Sequence, residues 1–276
     1  MTISHDWRLP YGECTQEIVA EGRACSQASQ FQPVQPRLIR WPDWDNNRRR
    51  MSLKFRLAIR MVLALPILAA MMFVPAGSFS FWQGWVFVGT FVGFNAMLVG
   101  YFYRRDPKLL ERRLQNHEPR HEQRRFKMLA VPLWIIMMVL PGLDYRFGWS
   151  IGMGGGVPVW LTGVSWAIVV VAWWLVFLVL RFNSFASSIV QVEAGQRVIT
   201  DGPYGVVRHP MYTGFGLMTL ATPIALGSYV AFVPALLVIP LLVIRLVDEE
   251  RVLRQELPGY TEYCRHTRFR LIPSVF

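Results

Sequence analysis

Cysteine is scarce in this chain. There are three in 276 residues, Cys14, Cys25 and Cys264, with no paired spacing and no CxxC. Neither a disulfide framework nor a zinc site is expected from such a set, and no metal is expected at all. Walker loops are missing, and no glycine-rich fingerprint follows a strand. P-loop and Rossmann chemistry lose their usual signatures with them. The stretch after Met1 lacks the apolar core of a cleaved secretion signal, so none is expected. Acidic residues are few, 18 against 29 Lys and Arg, which leaves a net charge of +11. No internal repeat is evident.

Apolar residues are abundant: 53% of the chain is hydrophobic and 11 residues are Trp. They gather in runs of about 17–25 residues, the length that crosses a bilayer. The basic residues stand in short segments beside those runs, the positive-inside arrangement, so the charge points to membrane lipids and not to nucleic acid.

Taken along the chain, residues 1–50 are polar and irregular and read as a disordered tail. Met51-Ser-Leu-Lys is an alternative start for the membrane domain, 51–276. Spans are expected at 57–74, 81–103, 128–143, 159–182, 211–226 and 229–247. Pro132 and Pro141 are expected to bend or end the third. The 104–127 loop carries nine Lys or Arg against four Asp or Glu and belongs on the cytoplasmic side, with a short helix near 109–114 along the membrane surface. Residues 144–158, with Gly154 to Gly156, read as an external loop. A short β-hairpin is expected from 189–192 and 197–200 around Glu193-Ala-Gly195. Gly227-Ser228 is too short for anything but an antiparallel helical hairpin. The fold expected is an all-α polytopic membrane protein of about six spans, with both termini cytoplasmic, a C-terminal helical hairpin and a pocket at its cytoplasmic end.

The stretch around which the chain is organised is Gly202 to Gly214, GPYGVVRHPMYTG. Pro203 and Pro210 each remove a backbone donor, and polar interrupted backbone at membrane depth is tolerated only inside protein or beside a wet cavity. Arg208, His209, Tyr204 and Tyr212 crowd into it. Arg245 stands four residues before Glu249, on the same helical face, near the end of an apolar span where a charge needs a reason. Glu249 and Glu250 do not make a hydrolytic carboxylate pair, because adjacent helical residues point about 100° apart. The turn is either the floor of a binding site or a capping turn with an interfacial arginine.

GPYGVVRHPMYTG, then an apolar hairpin, then DEERVLRQELPGYTEYCRHTRFRLIP resembles the isoprenylcysteine carboxyl methyltransferase family, and LDYRFGWS and NSFASS resemble its bacterial members. The likeness covers most of 101–276. It implies an integral membrane enzyme, in a bacterial inner membrane, using S-adenosylmethionine outside any Rossmann fold. Carried over by position, it implies cofactor contacts at Gln191, Gln196, Arg197, Val198, Ile199, Tyr204, His209, Pro210, Met211, Tyr212 and Glu249, and a catalytic, substrate-contacting Arg245. The acceptor it implies is lipidic or prenylated, methylated on a carboxylate oxygen. Phospholipid N-methyltransferases and NADPH-dependent sterol or polyprenyl reductases carry similar turns and are the alternatives. A scaffold or transporter is disfavoured, because the polar residues gather at one end and not at the midplane.

Overall fold

Long apolar sequences without water have one local solution, the helix, in which every backbone donor finds an internal acceptor. The computed structural model describes residues 52–114, 121–186 and 195–276, and among these the architecture is all-helical. The helices are α1 (Leu53–Ala76), α2 (Trp82–Arg105), α3 (Pro107–Leu114), α4 (His121–Phe147), α5 (Trp149–Gly152), α6 (Val159–Phe182), α7 (Pro210–Ala225), α8 (Phe232–Glu256) and α9 (Tyr260–His266). The expected tail, 1–50, lies outside the described residues.

Helices α1, α2, α6 and the 125–147 part of α4 are each long and apolar enough to cross a membrane. The fifth and sixth expected spans became the arms of the hairpin. Helix α7 has 16 residues. Helix α8 has 25 and runs nine residues past the expected end at Val247, carrying Arg245, Asp248, Glu249 and Glu250 on one continuous rod. Pro132 and Pro141 lie inside α4 and do not end it. A spanning helix tolerates proline because neighbouring helices can satisfy the carbonyls it frees. The expected β-hairpin falls partly on 187–194, outside the described residues, and 196–200 contains no strand.

Helix α3 departs from the surface-lying helix expected there. Leu109 is fully buried and Leu110 nearly so, packed with Leu57, Phe102, Val176, Phe177 and Leu180 of the bundle. Its apolar face is covered by protein and not by lipid. Helices α1 and α4 pack together, α4 packs on α8, and α6 packs on α7. A second core joins Met72, Phe73, Phe81, Met137, Met138 and Leu226.

The hairpin is stapled at the end away from the polar turn. Buried Asp144 accepts hydrogen bonds from the Ser150 backbone N–H at 2.7 Å and from the hydroxyls of Ser150 and Ser228. Ser150 Oγ accepts in turn from the Tyr229 N–H at 2.9 Å, and Ser228 Oγ from the Ala231 N–H at 3.1 Å. The α4–α5 connection and the Gly227-Ser228 turn are thereby one unit.

Candidate active site

The organising turn is built by close approach. Gly202 has φ +60°, and a Cβ there would sit 2.7 Å from the Phe182 ring, so both conformation and space require glycine. Residues Gly202–Gly205 form a single 3-10 turn. The Tyr204 carbonyl accepts from the Tyr263 hydroxyl at 2.7 Å, and its own hydroxyl accepts from Asn183 Nδ2 at 2.8 Å. Burial pushes the Tyr204 phenol up to about 12, with Asn183 and Arg113 opposing and the Glu249 charge adding.

Arg208 and His209 are buried, and their backbone N–H groups donate to the carbonyls of Phe269 and Arg270, each at 2.9 Å. The tail after α9 thus pairs with the turn. Pro210 opens α7 at its first position, where a missing N–H costs nothing. Thr213 Oγ1 donates to the Leu271 carbonyl at 2.8 Å. At Gly214 a Cβ would meet Val176 at 3.1 Å and the Ala172 carbonyl at 3.3 Å, so α6 and α7 touch through backbone.

Adjacent glutamates on α8 diverge, as helical geometry requires. Glu250 turns inward. It takes Arg208 Nε at 2.6 Å and Arg270 Nε at 2.9 Å, while Arg208 Nη1 donates to the carbonyls of Thr267 and Arg268 at 3.0 and 2.7 Å. Burial alone would raise the Glu250 carboxyl, but His209, Arg270 and Arg208 outweigh it and hold it at about 2. His209 Nε2 stands 3.9 Å from Glu250 and 3.3 Å from the Tyr260 hydroxyl. This knot fixes the turn to the hairpin arm and the tail.

Glu249 turns the other way. Its Oε2 accepts from the Tyr212 hydroxyl at 2.7 Å, and that hydroxyl accepts from Arg245 Nε at 3.0 Å. Arg245 and Glu249 are therefore joined through a third side chain from α7. The Arg245 guanidinium lies over the Phe126 ring, 4.8 Å from its centroid, a cation–π contact.

These groups face one cavity of about 430 Å³. Residues 196–199, Tyr204, residues 209–212, Arg245 and Glu249 all line it. Gln191 lies outside the described residues. The cavity also takes Arg113, Asn183, Arg208, Tyr260 and Tyr263 into its walls, which sequence reasoning did not select as site residues. Tyr260 and Tyr263 stand within the C-terminal motif, four residues or fewer apart, and that was their only signal. Arg113 looked like one topology-setting charge among nine. A second cavity of about 400 Å³ is mostly apolar and shares Phe126, Phe215 and Leu242 with the first. Arg245 lines the first cavity and lies over Phe126, a residue of both. Among the described residues no cluster of His, Cys, Asp and Glu could hold a metal.

One family model falls on this region. The phospholipid methyltransferase family model matches residues 159–257, which span α6, the turn and the hairpin. A Delta(14)-sterol reductase of Mus musculus is 32% identical over 90 residues, 32% of this chain, and the chain spans only 22% of that reductase. The solved structure of a eukaryotic intramembrane Ras methyltransferase, an isoprenylcysteine carboxyl methyltransferase, aligns with a TM-score of 0.44 at 19% identity, covering 67% of this chain and 66% of that one. The turn and the hairpin thus fall within the stretch, residues 159–257, that matches the phospholipid methyltransferase family.

Proposed function

We propose that this chain binds S-adenosylmethionine in the polar cavity and methylates a carboxylate oxygen of a lipidic or prenylated acceptor held in the apolar one. The observation that carries the reading is the junction itself, two cavities of similar size that share Phe126, Phe215 and Leu242, with Arg245 lining the first and lying over Phe126. The polar chamber has a size ordinary for a small cofactor and mixes apolar walls with charged and polar side chains. Val198, Ile199 and Tyr204 offer flat contact to an adenine-sized ring, and Glu249 offers a carboxylate to a cationic amino group or a sugar hydroxyl. When bound, the cofactor supplies a methyl group on a sulfonium, an electrophile that needs alignment and dryness more than acid or base help.

The residues of the chain then divide the work. The Arg208–Glu250–Arg270 knot holds the turn. Tyr212 fixes the relative placement of Arg245 and Glu249. Arg245 orients the acceptor carboxylate beside the apolar chamber, and the packed aromatic walls exclude water. Arg113, Arg208 and Arg245 line a cavity in which Glu249 is the acid facing inward, so the walls suit an anionic acceptor over an ammonium. That favours O-methylation over the N-methylation of a phospholipid amine.

A second reading, an NADPH-dependent reductase, is favoured by the sterol-reductase similarity. Titrating purified protein in detergent with S-adenosylmethionine and with NADPH separates the two. Saturable binding of the adenosyl sulfonium is expected, weakened by Glu249→Gln roughly 10- to 150-fold, the loss of one charge-assisted hydrogen bond. Saturable NADPH binding that competes at Glu249, without any for S-adenosylmethionine, would overturn the proposal.

A further inference from the structure

The polar cavity holds a cation that neither the motif nor the turn supplies. Arg113 lies on α3, far from the hairpin in sequence, yet it lines the chamber. Its Nη1 lies 3.9 Å from Met211 Sδ, within the RHPMY turn. The short helix that carries it is fixed at every side. Asp106 Oδ1 accepts from the Leu109 N–H at 3.1 Å at its start, and Arg60 Nη2 donates to the Leu114 carbonyl at 2.7 Å at its end. Leu109 and Leu110 anchor its apolar face in the bundle. Neighbouring Arg112 points about 100° away and donates to the Ser184 carbonyl at 2.6 Å, stacking over Phe185. The guanidinium of Arg113 is therefore placed by the fold and not left to wander.

The other arginines of the chamber have different duties. Arg208 is held by Glu250 and two carbonyls. Arg245 is bound to Tyr212 and lies over Phe126 at the apolar boundary. Arg197 is exposed at the rim. Arg113, Tyr204 and Glu249 line the same cavity, so a positive and a negative group share its wall. Arg113 is half-buried by surface area, yet its surroundings are dense enough that desolvation lowers its pKa. A guanidinium held this way recognises a planar anion through paired N–H donors.

We propose that Arg113 is the carboxylate-binding residue of the polar cavity, paired across it with Glu249 so that the two read the anionic and cationic ends of an amino-acid moiety. The inference rests on the methyltransferase reading above. The chemistry is a carboxylate, and its two sources are the methionyl end of the cofactor and the acid of the acceptor.

Binding of S-adenosylmethionine and of its decarboxylated analogue, measured by calorimetry on wild type, Arg113→Gln and Arg113→Lys in detergent, tests this. Wild type is expected to prefer the carboxylate-bearing compound roughly 10- to 100-fold. Arg113→Gln should abolish that preference without weakening the decarboxylated analogue, and Arg113→Lys should keep part of it. If the preference survives while KM for an S-prenylated N-acetylcysteine rises at least tenfold and kcat holds, the carboxylate is the acceptor's. If neither quantity moves in either variant, Arg113 is structural and the proposal is wrong. If wild type binds neither adenosyl compound, the methyltransferase reading itself fails and this one falls with it.

Discussion

At the scale of single residues, Tyr212 is the side chain that ties Arg245 to Glu249. One hydroxyl donates to Glu249 and accepts from Arg245, so removing it disturbs both without altering volume much. Tyr212→Phe is expected to weaken S-adenosylmethionine binding by about 10-fold or more, the scale of a lost bond to a charged group. It should also remove most of the coupling between Arg245→Lys and Glu249→Gln in a double-mutant cycle on that affinity. Equal coupling in the tyrosine and phenylalanine backgrounds would show that the two charges interact without the hydroxyl. The sequence placed Arg245 and Glu249 on one helical face by spacing alone. The bridging tyrosine lies 33 residues before Arg245 and only the packing of α7 on α8 brings it there.

Glu250 carries the pH dependence. Its carboxyl is held at about 2, below its ordinary 4.5, by the ion pairs and hydrogen bonds of the folded state. A depressed folded pKa contributes stability above the unfolded value and loses it as pH falls through the folded one. Thermal unfolding in detergent should therefore drop in temperature between about pH 4.5 and pH 2, and Glu250→Gln should flatten that part of the profile. A profile unchanged by the substitution would place the acid sensitivity elsewhere.

At the scale of elements, the helices were legible where periodicity and length speak for themselves. Helix α6 starts and ends where its apolar run does, 159–182. Of the bend or end expected at the prolines of α4, the end did not occur, because a membrane helix is judged by neighbours and not by propensity. The extent of α8 past Val247 was hidden by its own polarity. Its last turns are mostly charged, and they are helical because Glu250 and Val252 pack inward. Helix α3 was seen, but whether protein or lipid covers its leucines depends on tertiary packing that spacing does not encode.

Contact between α6 and α7 invites a direct test. Gly214→Val would push a branched side chain into Val176 and the Ala172 carbonyl. Overpacking of this kind costs about 1–3 kcal/mol, and here it also pries the turn off its support. A lowered unfolding temperature together with weakened cofactor binding is expected, against milder losses for Gly214→Ala. Wild-type behaviour of the valine variant would mean that the helices separate freely.

At the scale of the molecule, the staple at Asp144 and the knot at Glu250 lie at opposite ends of the hairpin, which gives the protein two faces of different chemistry. In a background with Cys14, Cys25 and Cys264 replaced, single cysteines at Ser80 and Met153 should react with a membrane-impermeant thiol reagent from outside the cell, and cysteines at Lys108 and Thr261 should not. Labelling of position 261 from outside would reverse the orientation that the basic loops imply. Such an inversion would also carry the cavity to the other side of the bilayer.

Helix α8 has one further consequence, as a gauge of membrane depth. Phe232 stands beside the stapled turn, and Arg245 follows thirteen residues later, about 20 Å along the axis at 1.5 Å per residue. A typical hydrocarbon core is about 30 Å thick. The guanidinium therefore sits at a fixed height set by the rod, while the polar group of an acceptor sits at a height set by the lipids around it. In nanodiscs of increasing acyl length that offset widens, and turnover on a lipidic acid should fall stepwise while affinity for the water-borne cofactor stays level.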